Sequence, residues 1–322
     1  MIQAHEWFSN TSLKRGFEKA FTMKFLVSLV LSFFSIIIIT VALVNINRDA
    51  TKPSLVLGQI VTTTPTPTKN LNAVKISDQE LPLLTAQSAV VLDIKSKKLL
   101  LDKNSTLRLY PASTTKLATA IVAMDYYPLD RVLKVDGVKV EGQKMKLLEG
   151  ESITVADLIR GLLMFSANDA AEVLANSFPG GKANFVTAMN LKVSQLDLAD
   201  TVFENPTGLD NENQYTTAFD LAKMANYAIE RPFIAQTVRT KKAIVTSTDR
   251  KVIHNLTNIN ELLGVVPGVL GIKTGWTENA KENLVTYIER DNGKLIIVVL
   301  GSDDRFGETK KIIDWVFESY KF

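Results

Sequence analysis

The sequence predicts an α+β fold, in which an antiparallel sheet is flanked by helices and carries an inserted all-α block. Two observations predict this fold. Runs rich in β-forming residues stand at both ends of residues 73–322, and residues 154–230 between them show only helical periodicity. A sheet assembled from both ends of the domain is the simplest arrangement for that order. A third observation, an apolar segment near the N-terminus, predicts one transmembrane helix as well.

The apolar segment is the first element along the chain. Residues 25–44 contain no charged side chain, and a helix of 20 residues spans roughly 30 Å, the thickness of the hydrocarbon layer. A cleaved signal peptide usually has a shorter apolar region that ends in a small-x-small site, so an uncleaved signal anchor is favoured. We therefore expect the lipid bilayer to be a partner of residues 25–44.

Basic residues around this segment predict its orientation. Four basic residues precede the span, Lys14, Arg15, Lys19 and Lys24, whereas only Arg48 and Lys52 follow it closely. The positive-inside rule places residues 1–24 in the cytoplasm. The expected location is thus the cell membrane, with a single pass and an extracytoplasmic catalytic domain.

Residues 45–72 contain the tract TTTPTPTK, which favours an extended backbone and cannot bury enough apolar surface to fold alone. We interpret this segment as a linker. The predicted organisation is a cytoplasmic segment (1–24), a signal anchor (25–44), a Thr/Pro-rich linker (45–72) and a catalytic domain (73–322).

The catalytic domain opens with a predicted β-hairpin over residues 88–102. After Pro111, apolar residues at helical spacing predict a helix that begins at or near Ser113. The helical block follows, with breaks at residues 179–181 and 205–206. Strands return in the segments AIVT, VLGIKT, NLVTYIER and KLIIVVLG, and an amphipathic helix over residues 308–320 closes the chain.

Composition excludes several functional classes. The net charge is +3, but residues 1–24 and 45–72 contribute +2 each, which leaves −1 for residues 73–322. A nearly neutral domain lacks the basic surface of a nucleic-acid-binding protein. The absence of cysteine excludes disulfides, thiolate zinc sites and a cysteine nucleophile.

Three short motifs carry the predicted chemistry. They are Ser113-Thr114-Thr115-Lys116 at a helix start, Ser166-Ala167-Asn168 in a break between helices, and Lys273-Thr274-Gly275 at the end of a β-rich run. Each motif is weak alone. These positions, however, are ones from which side chains can converge on one cleft.

The first motif predicts a nucleophile and its base. A serine hydroxyl needs a neighbouring base, and Lys116 lies on the same helix face as Ser113. A lysine acts as a base only when it is neutral, which requires desolvation and a nearby positive charge, and Lys273 is the candidate for that charge. Ser166 is then a candidate proton relay to the leaving amine.

The remaining motif residues predict substrate contacts. Asn168 can orient Lys116 or hold the substrate amide. Lys273 and Thr274 can bind a terminal carboxylate, and Gly275 can let the substrate backbone approach closely. The backbone N–H groups of Ser113 and Trp276 are candidate oxyanion donors.

A purely structural interpretation stays open for each motif. Ser113 could be a helix cap with a solvated Lys116, Ser166 and Asn168 could form a cap and a turn, and Lys273 could be an exposed strand residue.

The three motifs, in this order, are the known signature of penicillin-binding proteins and class A β-lactamases. With the segments YPASTTKLATA, MFSANDAAEVLA, FENPTGLD, HNLTNINELLG and PGVLGIKTGWTENA, the chain resembles the D-alanyl-D-alanine carboxypeptidases, the low-molecular-weight penicillin-binding proteins, over about residues 80–320. The resemblance implies a β-lactamase/transpeptidase-like fold and an acyl-enzyme on Ser113. It also implies peptidoglycan stem peptides ending in D-Ala-D-Ala as substrates, acylation by β-lactams, and Arg305 as a further carboxylate contact.

Two departures from the family pattern stand out. Lys281 occupies a position that is often glycine in relatives, which puts the local strand geometry in question. Ala167 stands where β-lactamases usually carry aspartate.

Three alternatives remain within or near this interpretation. One is a D,D-endopeptidase of the same family. Another is a β-lactamase, although the chain lacks a Glu-x-x-Leu-Asn string; Glu204 lies in about the right region, but in the segment FENPTGLD, which resembles the carboxypeptidases. The third is an inactive wall-binding module.

No metal or other cofactor is expected. His254 has no clustered partners, and residues 210–212 lack the ligand pattern of a calcium loop. The sequence leaves the oligomeric state open.

Overall fold

The computed structural model describes residues 73–322. The predicted cytoplasmic segment, signal anchor and linker lie outside the described residues. Within residues 73–322, no helix combines the length and apolar character that crossing a membrane requires.

A five-stranded sheet forms the centre of the domain. Its strands are β2 (Ser88–Asp93), β3 (Leu99–Lys103), β8 (Val269–Thr277), β9 (Lys281–Arg290) and β10 (Gly293–Ser302). They pair in the order β3-β2-β10-β9-β8, and every pair is antiparallel. The prediction of a sheet built from both ends of the domain is therefore confirmed, and β8 is one of its edges.

Both faces of this sheet are covered, which explains the continuous apolar run LIIVVL in β10. Ile296, Val298 and Leu300 belong to the core cluster that contains the helical block. Leu295, Ile297 and Val299 belong to a second cluster with the C-terminal helix. Because successive strand residues point to opposite faces, a strand between two cores must be apolar at nearly every position.

The helices confirm the predicted block. They are α1 (Lys116–Tyr126), α2 (Val155–Met164), α3 (Asn168–Asn176), α4 (Gly181–Gln195), α5 (Ala218–Ile229), α6 (Pro232–Val238) and the C-terminal α7 (Arg305–Ser319). Threonine side chains cap two of them, since Thr154 accepts from the N–H of Asp157 and Thr217 from that of Asp220. The predicted break at residues 179–181 is where α4 begins.

Three two-stranded pairs complete the domain. They are β4 (Val132–Lys134) with β5 (Ser152–Thr154), β6 (Lys242–Thr246) with β7 (Ile253–Thr257), and β1 (Val74–Lys75) with β11 (Tyr320–Lys321). The predicted strand AIVT is part of β6, which pairs only with β7 and not with the central sheet. Apart from AIVT, the strands of the short pairs and α6 were not predicted, because segments of two to seven residues carry too little periodicity.

Candidate active site

A 3-10 turn (Ala112–Thr115) carries Ser113 in front of α1. The turn is held from two sides: the Thr114 hydroxyl donates to the Pro111 carbonyl at 2.6 Å, and the Asn283 amide donates to the same carbonyl at 3.2 Å. The α-helix begins at Lys116, three residues after Ser113, and its N-cap Thr115 makes no side-chain capping bond. Ser113 is therefore not a helix cap, and its hydroxyl is free for other partners.

Lys116 lies directly beside this hydroxyl and is completely buried. Its Nζ donates to Ser113 Oγ at 2.8 Å and to the Thr207 carbonyl at 2.5 Å. Burial lowers the pKa of Lys116 to about 7, although the charges of Asp169 and Glu172 act in the opposite direction. The interpretation of Lys116 as a solvated helix residue does not fit this environment.

Lys273 is the second buried lysine of the site, only 1% exposed. Its Nζ donates to Ser166 Oγ at 3.0 Å and to the Thr274 carbonyl at 2.7 Å. Its pKa lies well below the usual range, first because of burial and then because of the positive charges of Lys116 and Arg305. The sequence led us to expect that Lys273 would depress the pKa of Lys116, whereas in the structure burial lowers that pKa and Lys116 depresses the pKa of Lys273.

The second motif connects α2 to α3. Ser166 has a φ of +61°, a left-handed conformation that is uncommon for a residue other than glycine and is often found at functional sites. Asn168 is the first residue of α3, and its amide nitrogen donates to the Glu141 carbonyl at 2.6 Å. Its Oδ1 is buried and has no hydrogen-bond partner among residues 73–322. Asn168 makes no hydrogen bond to Lys116 there, so of its two predicted roles the geometry favours contact with a substrate amide.

The third motif lies on β8, whose outer edge runs along the turn that carries Ser113. A side chain at Gly275 would place its Cβ 3.2 Å from the backbone nitrogens of Ser113 and Thr114. We expected Gly275 to make room for substrate, but the close neighbour is the nucleophile's own turn. Trp276 follows and is 62% exposed, paired with Glu282 of β9.

Arg305 stands at the start of α7 and reaches the same strand. Its Nη1 donates to the Gly275 carbonyl at 3.0 Å, and its backbone N–H donates to Glu282 Oε2 at 2.9 Å. Arg305 and Lys273 thus place two basic groups along β8, which suits a carboxylate ligand.

Residues that the sequence left ambiguous have structural roles or solvent exposure. His254 is buried and bonded to Glu151 at 2.8 Å and to the Met145 carbonyl at 3.0 Å. Asp210 accepts from the Thr277 hydroxyl at 2.7 Å, and Glu204 is exposed. No group of three or more potential ligands that could hold a metal ion occurs within residues 73–322.

Sequence reasoning missed two contributors to the site. Thr207 accepts from Lys116 through its backbone carbonyl, and Asn283 donates to the Tyr110 carbonyl at 2.9 Å as well as to Pro111. Thr207 acts through a group that every residue has, so no side-chain signal marks it. Asn283 left a weak signal, since it is a polar residue inside a strand that is otherwise largely buried.

Comparison with known proteins places this chain among D-alanyl-D-alanine carboxypeptidases. The sequence profile of the D-alanyl-D-alanine carboxypeptidase family matches residues 74–304. The chain is 34% identical to the D-alanyl-D-alanine carboxypeptidase DacF of Bacillus subtilis over 73% of this chain and 63% of the relative. It is 31% identical to DacB2 of Mycobacterium tuberculosis, covering 72% of this chain and 82% of that protein. The chain thus spans less than two thirds of the length of DacF.

Solved structures show the same fold. A D-alanyl-D-alanine carboxypeptidase from Mycobacterium tuberculosis superposes with a TM-score of 0.71 at 30% identity, covering 76% of this chain and 95% of that one. The Streptomyces K15 DD-transpeptidase superposes with a TM-score of 0.70 at 27% identity, covering 74% of this chain and 100% of that one. The predicted β-lactamase/transpeptidase-like arrangement of sheet and helices is confirmed for residues 73–322.

Proposed function

The chain belongs to the D-alanyl-D-alanine carboxypeptidase family, and from this premise we propose that it removes the terminal D-alanine from peptidoglycan stem pentapeptides through an acyl-enzyme on Ser113. One observation carries the proposal: the Nζ of the buried Lys116 lies 2.8 Å from Ser113 Oγ, and burial lowers the pKa of that lysine to about 7. A neutral amine at this distance can accept the hydroxyl proton at physiological pH.

The acylation step follows from these positions. Lys116 Nζ takes the proton of Ser113, and Ser113 Oγ attacks the carbonyl carbon of the penultimate D-alanine. The N–H groups of Ser113 and Trp276 stabilise the negative charge that develops on the carbonyl oxygen. The bond to the terminal residue then breaks, and the proton held by Lys116 passes through the Ser166 hydroxyl to the leaving amine, which restores neutral Lys116. Lys273 holds Ser166 Oγ at 3.0 Å.

The deacylation step uses the same groups. Water adds to the acyl carbon and gives a proton to Lys116. The bond between Ser113 Oγ and the acyl carbon then breaks, Ser113 takes that proton back, and the shortened peptide departs. Before acylation, while the terminal D-alanine is still attached, Lys273, Thr274 and Arg305 hold its carboxylate, and Asn168 offers its buried Oδ1 to a peptide N–H. β-Lactams, which are cyclic acylating agents, enter by the same first step.

The test is release of D-alanine from a pentapeptide that ends in D-Ala-D-Ala, measured with the full-length chain in detergent. We expect turnover that Ser113→Ala abolishes, and a covalent penicillin adduct on Ser113 by mass spectrometry. Ser105→Ala is a control, because this buried serine lies outside the site. Absence of both turnover and adduct would contradict the proposal and favour an inactive wall-binding module.

Two related activities are separated by the same preparation. Rapid clearance of penicillin without release of D-alanine would identify a β-lactamase. The exposed position of Glu204 gives no support to that activity. Cleavage of a crosslinked dimer faster than of the pentapeptide would identify a D,D-endopeptidase.

For the N-terminal region, we propose a signal anchor over residues 25–44 with the catalytic domain outside the cytoplasm, supported by the uncharged segment and the flanking basic residues. Protease added to intact cells or spheroplasts is expected to remove the catalytic domain and to leave residues 1–24 protected. Release of the whole chain from membranes by alkaline carbonate would contradict the anchor.

A further inference from the structure

A groove of about 710 Å³ opens beside the second catalytic motif. It is lined by residues 138–141, 144, 146 and 147 together with Asp169, the residue that follows Asn168. Grooves of this size accommodate small organic groups, including a side chain of a bound peptide. None of the catalytic roles described above uses this groove.

Backbone carbonyls in the segment that lines the groove accept hydrogen bonds from Asn168. The Asn168 N–H donates to the Gln143 carbonyl at 2.7 Å, and its side-chain nitrogen donates to the Glu141 carbonyl at 2.6 Å. The wall of the groove is therefore also the support of the asparagine that receives the substrate amide. A peptide amide bound by Asn168 would therefore lie close to the segment that lines the groove.

The charges in the groove favour an anion. Three exposed lysines line it, Lys139, Lys144 and Lys146, and none of them forms an ion pair within residues 73–322. Two carboxylates oppose them. Asp169 is buried and already accepts from the N–H groups of Met145 and Leu147, at 3.0 Å each, so Glu141 is the only exposed negative charge.

The backbone around Lys146, at residues 145–147, is held by hydrogen bonds, which lowers the conformational entropy lost on binding. The two bonds to Asp169 flank Lys146, whose φ of +66° keeps it in a left-handed conformation. On the other side, His254 is bonded to the Met145 carbonyl at 3.0 Å. Lys146 is thus presented from a backbone that is held at both neighbouring residues.

We propose that this lysine groove binds a free carboxylate on the stem peptide, carried by the residue that precedes D-Ala-D-Ala, and that the enzyme therefore prefers a diamino dicarboxylic acid at that position. The inference rests on the proposed carboxypeptidase function. The ammonium group of a lysine lies at the end of a flexible side chain and attracts a carboxylate as a point charge. Several lysines around a groove therefore suit a carboxylate that has some positional freedom.

The test compares two pentapeptides that differ only in the third residue. In both peptides the side chain of that residue carries an amine. In one peptide it also carries a free carboxylate, and in the other a carboxamide replaces that carboxylate. We expect the full-length enzyme at low salt to favour the carboxylate by roughly 5- to 10-fold in kcat/KM, the sum of two or three exposed ion pairs. The preference should shrink as sodium chloride is raised, because exposed pairs are screened.

The matched variants keep the total charge equal. Lys139→Gln/Lys144→Gln/Lys146→Gln should lose the preference, whereas Lys97→Gln/Lys98→Gln/Lys251→Gln, which changes three exposed lysines elsewhere, should retain it. The proposal that the groove binds this carboxylate would be contradicted by equal rates on both peptides in the unmodified enzyme. An equal loss of preference in both triple variants would contradict it as well.

Failure of the groove and failure of the proposed function give different results. If the unmodified enzyme cleaves both peptides equally and penicillin labels Ser113, only the proposal that the groove binds the carboxylate is wrong. If it cleaves neither peptide and penicillin labels nothing, the carboxypeptidase function is wrong and the inference fails with it. Strong competition by inorganic polyphosphate, together with equal rates on both peptides, would assign the lysines to a phosphate polymer instead.

Discussion

At the scale of single residues, Lys116 and Lys273 show how burial converts an ordinary ion into a catalytic group. Both side chains are almost completely inaccessible, and both have lowered pKa values. Neither lysine bonds to a carboxylate; their partners are two serine hydroxyls and two backbone carbonyls. The absence of a carboxylate partner leaves burial as the dominant influence on both pKa values, and the neutral form of Lys116 is accessible near pH 7.

The first prediction concerns the pH dependence of acylation. Only neutral Lys116 can accept the proton of Ser113, so the rate should be low at pH 6, half-maximal near pH 7, where the pKa lies, and nearly constant above pH 8. The measurement is the rate of labelling by a fluorescent penicillin between pH 5.5 and 9. Lys116→Arg, which stays charged throughout, should not be labelled at any pH. A flat profile for the unmodified enzyme would show that Lys116 is not the base.

The second prediction concerns Lys281, the departure from the family pattern. Its φ is +55°, in the left-handed region where glycine is preferred, so a residue with a Cβ adopts this conformation at a cost. Lys281→Gly should raise the free energy of unfolding by about 0.5–1 kcal/mol, because the ion pair it loses to Asp303 is exposed and contributes little. Thermal unfolding is the measurement. Lys281→Ala removes the same ion pair but keeps the Cβ, so a glycine variant that melts below it would contradict the explanation.

At the scale of elements, the site depends on how closely β8 packs against the turn that carries Ser113. Gly275 is the contact point, and Arg305 of α7 binds its carbonyl from the other side. The strand, the turn and the last helix are therefore fixed to one another within a few ångströms. This contact sets the distance between the nucleophile and the candidate oxyanion donor at Trp276.

The third prediction tests that contact. The methyl group of Gly275→Ala would lie 3.2 Å from the nitrogens of Ser113 and Thr114 and should displace the turn by a few tenths of an ångström. We expect penicillin acylation to slow by roughly 10- to 100-fold, because misplacement of a nucleophile costs far more rate than stability. Gly293→Ala is the matched control, since its methyl group would meet Phe322 at 2.9 Å and should reduce stability without slowing acylation. Equal acylation rates in the two variants would contradict the role of the contact.

At the scale of the whole catalytic domain, hydrogen bonds join the beginning of the described residues, 73–322, to their end. β1 pairs with β11, and the buried Glu308 of α7 accepts from the N–H groups of Thr85 and Ala86 and from the Ser302 hydroxyl at 2.6 Å. The central sheet needs this closure, because β2 comes from the beginning of the domain and pairs with β10 from its end.

The fourth prediction tests this closure. Glu308→Gln leaves one acceptor oxygen for three donors and should lower the free energy of unfolding by about 1–3 kcal/mol. Glu318→Gln, an exposed position on the same helix, should change it by less than about 0.5 kcal/mol. Denaturant unfolding of both variants is the measurement, and similar midpoints would show that the bonds of Glu308 do not hold the ends.

The sequence by itself determined the central strands, the main helices and the candidate nucleophile and base. These depend on short-range patterns: alternation in strands, helical spacing, and a serine three residues before a lysine. Periodicity was too weak for α6 and for the short strand pairs. Ser113, Lys116, Ser166 and Lys273 are brought together as predicted, whereas the bond from Asn168 to Lys116 is not formed.

Only the tertiary structure decided how deeply the two lysines are buried, and hence which influence lowers each pKa. It also showed that Gly275 lies close to the turn of Ser113, and it placed three lysines in a groove beside Asn168. The physical reason is that the burial of a side chain, its packing and the charges around it depend on neighbours that are far apart in the chain. Lys273, for example, bonds to Ser166 across 107 positions, a distance at which no local pattern in the sequence can operate.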